Sequence, residues 1–352
     1  MHFIKKERRK FSKNSYTSFI LGGDIGGTNT NLGLFGIKNK FPVLLVSFHF
    51  KSKQLKDLYS AIGFTIGVIK NYYKIKIAKC CLGIAGALSY RKDYVRLTNA
   101  NLEFKKKIAL RRLGLKKIIL MNDFEAVGYG INVLSRKDAK TIKGGKKYAK
   151  APILVIGAGT GLGKALLIYD EKQKFYVPIP SEFHHSDFAA QSRLDVDMVD
   201  FIKKYRNINQ NISNGDILSG EGLENIYLFL RNSKRFKETK YTDEIDKSAG
   251  KAELISKYRK IDKTCMETFI IFKSEYARAA KNLALDELPL GGIYIAGGIA
   301  PKNEEIFDSD FARTFQVNRK MTDILKKIPI YLILNYDIGL LGAGFAGAMM
   351  LK

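Results

Sequence analysis

The sequence has little cysteine and no long apolar run. Its three cysteines, Cys80, Cys81 and Cys265, offer neither the even count of a disulfide framework nor the paired spacing of a zinc site. No apolar stretch reaches the roughly 20 residues needed to cross a bilayer. We therefore expect a protein of a reducing compartment, the cytoplasm, that has no membrane association and whose Cys80 and Cys81 are buried structural thiols.

Acidic residues are few relative to basic ones, 34 against 60, which gives a net charge of +26. Clustered lysine and arginine would indicate a nucleic-acid partner. Here the lysines are spread along the chain, and no zinc finger, recognition helix or aromatic RNA-binding signature focuses them. The pattern favours a solvated basic surface with no specific nucleic-acid partner, and a polyanion-binding role is the alternative.

The N-terminal segment concentrates this charge. Residues 1–18 carry six basic side chains and one acidic side chain, with only scattered apolar residues. They lack the continuous apolar core of a secretory signal. We predict that residues 1–18 form a flexible basic tail.

The chain is longer than a single hydrophobic core usually becomes, so two lobes are expected. Two β-rich blocks, opening near Ser18 and Pro152, each show a strand, a glycine turn and a second strand. This repetition predicts an α/β protein with a small lobe over residues 19–140, a large lobe over residues 141–352 and a cleft between them. The C-terminal helix could pack back on the small lobe.

The first glycine turn, GGDIGGTNTN, covers residues 22–31. Gly26 and Gly27 would let the backbone approach phosphate oxygens closely, and Thr28 and Asn29 add side-chain donors. Asp24, at the end of the preceding strand, suits a hydrated Mg²⁺ near those phosphates. The alternative is a tight hairpin that needs glycine and binds nothing.

The second turn, GAGTGLG over residues 157–163, repeats this composition. It is not a Walker loop, because no Gly-Lys-Ser/Thr follows, and it is not a dinucleotide fingerprint, because a strand comes next. A third run, AGGI, ends a predicted strand where a purine could lie against the backbone. The nucleotide-binding candidates in these two segments are Gly159, Thr160, Gly161, Gly297 and Gly298.

A predicted strand over residues 116–123 ends in Asn122 and Asp123. Open α/β sheets bind ligands beyond the carboxyl ends of their strands, so this edge is a candidate site. A carboxylate there could accept a proton from a hydroxyl nucleophile. The alternative is that Asp123 is the N-cap of the helix that follows.

Together these segments resemble the actin, Hsp70 and sugar-kinase superfamily: DIGGTNTN its first phosphate motif, GAGTGLG its second and IAGGIAPKN its adenosine motif. The order LTNANLEF, MNDFEAVGYG, GTGLG, SEFHHSDFA, ILSGEGLENIY, AGGIAPKN and GLLGAG, from about residue 19 onward, resembles the bacterial-type glucokinase family. The resemblance implies a two-lobed, ribonuclease H-like actin-type ATPase/sugar kinase fold with an interlobe cleft. It also implies transfer of phosphate from ATP, with Mg²⁺, to the 6-hydroxyl of D-glucose.

The resemblance also implies residue roles. Asp123 would be the catalytic base, and Asp24 would hold Mg²⁺ through water. The segment PSEFHHSDFA would bind the sugar as the family's Glu-Gly-Gly-His segment does. The residues implied to bind the sugar are Thr98, Asn99, Asn122, Asp123, Glu182, His185 and Asp216.

The segments implied to bind the sugar depart from the family pattern, and Leu102 stands where an aromatic residue is common. Phe183 and His184 replace two glycines, and Gly215 stands where the family usually has a glutamate, with Asp216 beside it. These changes leave a kinase for another hexose, such as mannose or glucosamine, as an alternative. A sugar- or nucleotide-binding protein without turnover is a second alternative, and a homodimer is left open. The cysteine-rich zinc motif and the helix-turn-helix of related groups are absent, which favours the plain glucokinase branch.

Overall fold

The computed structural model describes residues 2–97 and 101–351, so the predicted sugar-binding residues Thr98 and Asn99 lie outside the described residues. The chain divides into two compact units. Unit 1 comprises Met1–Asp138, Leu167–Pro180 and Asn335–Lys352, and unit 2 comprises Ala139–Leu166 and Ser181–Leu334.

The described residues form fourteen strands and eleven α-helices. The strands are β1 (Ile4–Glu7), β2 (Ser18–Ile25), β3 (Asn29–Lys38), β4 (Phe41–Lys51), β5 (Lys79–Ile84), β6 (Tyr94–Arg96), β7 (Glu103–Lys105), β8 (Lys117–Asn122), β9 (Ala139–Lys143), β10 (Ile153–Ala158), β11 (Leu162–Asp170), β12 (Phe175–Ser181), β13 (Ile293–Ala296) and β14 (Ile330–Ile333). The helices are α1 (Leu58–Tyr73), α2 (Lys106–Leu113), α3 (Asp123–Gly130), α4 (Arg193–Arg206), α5 (Gly220–Asn232), α6 (Lys240–Lys247), α7 (Lys251–Tyr258), α8 (Lys263–Glu287), α9 (Ser309–Gln316), α10 (Thr322–Lys327) and α11 (Ile338–Met350).

Unit 1 is built on a six-stranded sheet with the order β1-β4-β3-β2-β5-β8. Strands β2, β5 and β8 are parallel, whereas β3 and β4 continue the sheet as antiparallel hairpin strands. The apolar residues of β2, β5 and β8 are mostly buried in consecutive positions, which suits strands covered on both faces. Because the three parallel strands run in one direction, their carboxyl ends lie at one edge of the sheet.

The C-terminal helix α11 belongs to unit 1 and packs against α3. The contact is close because α11 carries glycine at the crossing: a Cβ on Gly342 would collide with the carbonyl oxygen of Ala126. A larger residue at position 342 would therefore push the two helices apart, and α3 begins at one of the candidate site residues.

The basic segment at the N-terminus contains a strand. Residues Ile4–Glu7 pair antiparallel with β4, and the Phe3 ring lies 4.9 Å from that of Phe64 in an edge-to-face contact. The sequence predicts a flexible tail here. The segment forms a strand because β4, which is 11 residues long, offers it an open edge to pair with. The sequence of a short basic stretch does not show that such a distant partner exists.

Unit 2 contains β10, β13 and β14 as parallel neighbours, with β9 antiparallel at the edge. Its core is closed by α8, a 25-residue helix whose buried side includes Phe272 and Tyr276. Residues 232–251 contain α6, which buries Ile245.

The three cysteines are buried and unpaired, as expected for structural thiols. Burial raises the pKa of the Cys80 and Cys81 thiols, which keeps both protonated. Among the helices of residues 2–97 and 101–351, none is both long enough and apolar enough to cross a membrane.

Candidate active site

The first glycine turn joins β2 to β3 in unit 1. The Gly26 N–H donates to the carbonyl oxygen of Asn29 over 2.9 Å, so it stabilises the turn itself. Gly27 is buried, whereas Thr28 and Asn29 are exposed at the apex. Of the four residues predicted here, Thr28 and Asn29 therefore present their side chains where an anion can reach them.

Ser52, which the sequence analysis did not identify, supports this turn. Its hydroxyl donates to the carbonyl oxygen of Gly26 over 2.6 Å, and its N–H donates to that of Thr28 over 3.0 Å. Ser52 is buried directly after β4. In the sequence, Ser52 is a serine after an apolar stretch, and that pattern does not distinguish this role from an ordinary strand end.

Asp24 is the next-to-last residue of β2, beside this turn, and pairs with Gly83 of β5. Burial, reinforced by the negative charges of Asp123 and Asp337, raises the pKa of Asp24 to about 7. The amide of Asn31 opposes this shift by donating to the Asp24 carboxylate over 3.5 Å. The carboxylate therefore becomes fully ionised near neutral pH only when a cation or donor favours its charge.

These properties fit a hydrated magnesium ion. In the part of the chain that the structure describes, no group of three or more His, Cys, Asp or Glu side chains could hold a metal. Magnesium usually retains several waters and takes one or two carboxylates together with substrate phosphates. Asp24 would accept a hydrogen bond from one of the retained waters, and a nearby divalent cation would lower its pKa and stabilise the ionised form.

Asn122 and Asp123 lie where β8 passes into α3, at the same sheet edge as Asp24. The N-cap of α3 is Asn122: its Oδ1 accepts from the N–H groups of Phe124, over 2.8 Å, and Glu125. Asp123 is the first helical residue, and its Oδ1 also accepts from the N–H of Phe124 over 3.0 Å. The capping role proposed as the alternative for Asp123 thus falls on Asn122.

Glu125 completes this capping box and is another residue that sequence reasoning missed. Its side chain is only 7% exposed, accepts from the Asn122 N–H and forms two 2.9 Å hydrogen bonds with the Nζ of Lys92. Lys92 has a left-handed backbone conformation, with a φ of 49°, and its ammonium group lies at the start of α3. The loop and the helix that carries Asp123 are thereby tied together.

The second glycine turn joins β10 to β11 in unit 2. The Gly159 N–H donates to the carbonyl oxygen of Gly161 over 2.7 Å, and the Gly159 carbonyl accepts from the Gly220 N–H over 2.8 Å. Thr160, between them, is exposed. Gly220 begins α5, so the amino end of that helix is fixed to the turn.

The third glycine run follows β13, which is the parallel neighbour of β10. Gly297 has a φ of +85°, and a Cβ there would collide with the carbonyl oxygen of Ala158. An ideal Cβ on Gly159 would lie 3.6 Å from the N of Gly298, whereas one on Gly298 meets nothing within 4 Å. The structure thus brings together the second and third glycine runs, and Gly298 borders open space.

The predicted sugar segment forms a short 3₁₀ turn, Phe183–His185, after Glu182. Glu182 and His185 are exposed, whereas His184 is half-buried and accepts through Nδ1 from the Leu162 N–H over 3.1 Å. Burial, and then the neighbouring His185, lower the pKa of His184, which keeps it neutral as this bond requires. His184 therefore supports the second turn, and His185 is the histidine left at the surface.

Asp216 lies in a turn next to this segment. One of its oxygens accepts from both the N–H and the hydroxyl of Ser213, each over 2.7 Å. The buried Asn214, which sequence reasoning missed, donates through Nδ2 to the hydroxyl of Ser186 over 3.0 Å. Asp216 thus has a capping role in addition to the sugar contact predicted for it.

Lys164 lies in β11, just beyond the second glycine turn. It forms an ion pair with Glu287, and the two side chains are 12% and 8% exposed. Burial raises the pKa of Glu287, and its Oε2 is buried without a hydrogen-bond partner. Lys164 is therefore part of the packing of unit 2.

Similarity to solved structures defines the fold class. A glucokinase from an Antarctic psychrotroph aligns with a TM-score of 0.75 at 26% identity, over 94% of this chain and 98% of its own. Glucokinase from Balamuthia mandrillaris in complex with glucose gives a TM-score of 0.80 at 22% identity, over 94% and 93% of the chains. The fold is that of the actin-like sugar kinases, which confirms the predicted class.

Sequence comparison defines the family within that class. The sequence model of the glucokinase family matches residues 21–350. A glucokinase from Trichormus variabilis is 34% identical over 348 residues, covering 95% of this chain and 100% of its own, and one from Pectobacterium atrosepticum is 31% identical over 335 residues, covering 93% and 96%. The chain belongs to the glucokinase family, as the order of its motifs predicted.

Proposed function

We propose that this chain transfers the γ-phosphoryl group of ATP to the 6-hydroxyl of D-glucose, forming glucose 6-phosphate and ADP. The observation that carries the proposal is the placement of Asp24 and Asp123 at the carboxyl ends of parallel strands in one sheet, close enough for the charge of one to raise the pKa of the other. Membership of the glucokinase family supports the choice of substrates.

In this proposal Asp123 is the catalytic base. A sugar hydroxyl is a weak nucleophile, so a carboxylate that orients it and accepts its proton as the new O–P bond forms lowers the barrier. The bond between the γ-phosphorus and the bridging oxygen breaks, and ADP leaves with that oxygen. The Asn122 cap and the Lys92–Glu125 pair hold the start of α3, which limits how far the Asp123 carboxylate can move.

Asp24, Thr28 and Asn29 are proposed to serve the nucleotide from unit 1. Magnesium, when bound, offsets the charge on the phosphate oxygens. Asp24 would hold one of its water ligands, and Thr28 and Asn29 would donate to phosphate oxygens from the exposed apex of their turn. Gly26 and Gly27 have no side chain, so they would leave the backbone of the turn accessible to phosphate oxygens.

Unit 2 is proposed to contribute the remaining nucleotide and sugar contacts. Gly159, Thr160 and Gly161 would approach phosphate oxygens through the backbone, and Gly297 and Gly298 would lie against the adenosine. Glu182, His185 and Asp216 would bind ring hydroxyls, because carboxylates accept hydrogen bonds and imidazole both donates and accepts. Thr98, Asn99 and Asn122 remain proposed sugar contacts.

One observation favours a second candidate, a kinase that prefers another hexose. His184 packs on Gly215, where the family usually has a glutamate, so one acidic group that could bind a ring hydroxyl is missing. A site that lacks such a partner discriminates less strongly between epimers. Mannose and glucosamine are therefore the sugars to compare with glucose.

The deciding experiment measures ADP release from MgATP with no sugar and with glucose, mannose or glucosamine. We expect stimulation by glucose, and absence of stimulation by all three sugars would contradict the kinase assignment. Asp123→Asn should lower kcat by about 10²–10⁴-fold with MgATP binding nearly unchanged. Asp310→Asn, which changes an exposed acid in the first turn of α9, is the matched control and should retain full activity.

Location and assembly are further parts of the proposal. The buried thiols are consistent with a cytoplasmic enzyme, and a homodimer remains a prediction that light scattering tests directly. Salt-sensitive retention on nucleic acid would reveal a polyanion-binding role for the basic surface.

A further inference from the structure

Arg8 connects the N-terminal strand to two parts of unit 1. Its Nη2 lies 2.6 Å from the Asp337 carboxylate, just before α11, and its Nε donates to the Ser47 hydroxyl over 3.0 Å. The Arg8 N–H donates to the carbonyl oxygen of Leu45 over 2.9 Å, extending the pairing of β1 with β4. Arg8 is thus fixed through its backbone and through both ends of its guanidinium group.

The Ser47 contact begins a chain of hydrogen bonds that ends at Asp24. Ser47 Oγ lies 2.9 Å from His49 Nε2, His49 Nδ1 lies 2.9 Å from Asn31 Oδ1, and Asn31 Nδ2 lies 3.5 Å from Asp24 Oδ2. Every link is a side chain on β2, β3 or β4, and the register explains the order: Asp24 is opposite Asn31, and Asn31 is opposite His49.

The chemistry of the groups fixes the direction of this chain. An arginine only donates, so Ser47 accepts from Arg8 and can donate to His49 Nε2. An amide oxygen only accepts, so His49 donates through Nδ1–H to Asn31, whose NH₂ group then faces the Asp24 carboxylate. Burial lowers the pKa of His49, which favours the neutral ring that this arrangement needs. The donors all point from Arg8 toward Asp24.

A second route joins the same two residues. Asp337 immediately precedes α11, and an ideal Cβ on Gly339 would lie 2.9 Å from the Asp24 carboxylate carbon. Arg8 therefore contacts Asp337, at the start of α11, through Nη2, and it contacts Ser47, the first member of the hydrogen-bond chain, through Nε. Both connections lead to Asp24.

We propose that Arg8 is a positioning residue for the magnesium–ATP site, acting on Asp24 through Ser47, His49 and Asn31. The inference rests on the proposed function, because it gives Asp24 its role toward the nucleotide. The family match begins at residue 21, so Arg8 belongs to a segment outside that match. A segment predicted from sequence as a basic tail thus supports the nucleotide site.

Arg8 should matter more for positioning than for stability. In its ion pair with Asp337, the side chains of Arg8 and Asp337 are 30% and 20% exposed. A partly solvated pair of this kind contributes at most about 1 kcal/mol to folding. Loss of the guanidinium leaves the Ser47 hydroxyl without its fixed donor, so the hydroxyl, the His49 ring and the Asn31 amide can reorient. The orientation of the group that donates to Asp24 is then no longer determined.

The first test uses the protein without nucleotide. The chain has four histidines, so ¹⁵N-labelled histidine spectra can be resolved and the His49 ring assigned by its loss in His49→Gln. We expect the neutral Nδ1–H tautomer for His49 in the wild type and in Arg9→Met, and a mixture of tautomers in Arg8→Met. Arg9 is the matched control because it is an adjacent, exposed arginine. An unchanged His49 tautomer in Arg8→Met would overturn the proposal.

The second test measures kinetics with the same variants. Arg8→Met should raise the KM for MgATP about fivefold, with the KM for glucose within about twofold of the wild-type value, whereas Arg9→Met should change neither. Equal KM values for MgATP in an active wild type and in Arg8→Met would overturn this inference and leave the proposed function intact. If the wild type shows no hexose-stimulated ADP release, the proposed function fails, and the histidine spectra alone decide the role of Arg8 in orienting the chain.

Discussion

The imidazole of His184 occupies the space into which a side chain at position 215 would project. A Cβ built on Gly215 overlaps three ring atoms of His184, Cε1, Nδ1 and Nε2. In the family that the sequence resembles, position 184 is usually glycine and position 215 usually glutamate. The two departures are therefore one coupled change, in which an imidazole fills the volume that a side chain at position 215 would need.

This coupling predicts that Gly215→Ala is poorly tolerated. The added methyl group displaces His184, which weakens its hydrogen bond from Leu162 and disturbs the second glycine turn. We expect a loss of about 1–3 kcal/mol in the free energy of unfolding, measured with urea. The double variant His184→Gly with Gly215→Ala should recover most of that loss.

The matched control is Gly144→Ala in the same unit, because a Cβ on Gly144 meets nothing within 4 Å. It should change stability by less than about 1 kcal/mol in either direction. A double variant at 184 and 215 that is no more stable than Gly215→Ala alone would show that the two positions are independent.

The sequence predicts the parts of this fold that depend on neighbouring residues. Glycine turns between strands, and polar residues at strand ends, are local patterns, so the turn at residues 26–29 and the edge that carries Asp123 follow from short stretches of sequence. The parallel order of β2, β5 and β8 then brings Asp24 and Asp123 to one edge. Placing Asp24 and Asp123 at one edge requires only that these strands run in the same direction.

Contacts between distant residues could not be predicted in this way. Arg8 and Asp337 are separated by almost the whole chain, and His184 meets Gly215 across 31 positions. Lys164 meets its partner Glu287 across 123 positions. In each case the side chain's role depends on a packing partner that composition and spacing do not reveal.

Lys92 should affect turnover through the start of α3. Lys92→Met leaves the Glu125 carboxylate largely buried without its cation, so the capping box at Asn122 loosens and Asp123 is held less firmly. We expect kcat to fall roughly tenfold, with a smaller change in the KM for MgATP, measured by coupled assay.

The control for Lys92 is Lys105→Met. Lys105 pairs with Glu103 over 3.0 Å at the surface, where the side chains are 48% and 50% exposed. That variant should keep wild-type kcat, because an exposed pair contributes little. Equal turnover in Lys92→Met and Lys105→Met would exclude a positioning role for Lys92.

Lys164 should affect stability and not nucleotide binding. Lys164→Met leaves Glu287 buried without its cation, a change that typically costs about 3–5 kcal/mol. Removing both charges in Lys164→Met with Glu287→Gln should restore most of the stability. Folded Lys164→Met should retain the wild-type KM for MgATP, and a large rise in that KM without a loss of stability would indicate that Lys164 contacts a phosphate instead.

Asp24 should make the nucleotide-free protein less stable as the pH rises. Its pKa is raised to about 7 in the folded state from an ordinary value of 3.8, so between about pH 4 and pH 7 the folded state binds more protons than the unfolded state. Stability therefore falls as the pH rises through that window, by on the order of 3 kcal/mol between pH 5 and pH 8 from this group. Asp24→Asn removes the titration, so urea unfolding at the two pH values should show a smaller difference in the variant.

Glu275 is expected to leave a residual pH dependence in Asp24→Asn, because burial raises its pKa to about 7 as well. The slope of stability against pH should therefore be smaller in Asp24→Asn than in the wild type, but it should not be zero. An identical slope in the wild type and in Asp24→Asn, with Asp310→Asn as the exposed control, would mean that Asp24 is ionised throughout this range.

MgATP favours the ionised form of Asp24, so its binding near pH 6 should release a proton from Asp24 in the wild type. Calorimetry in buffers of different ionisation enthalpy measures that release. It should be absent in Asp24→Asn.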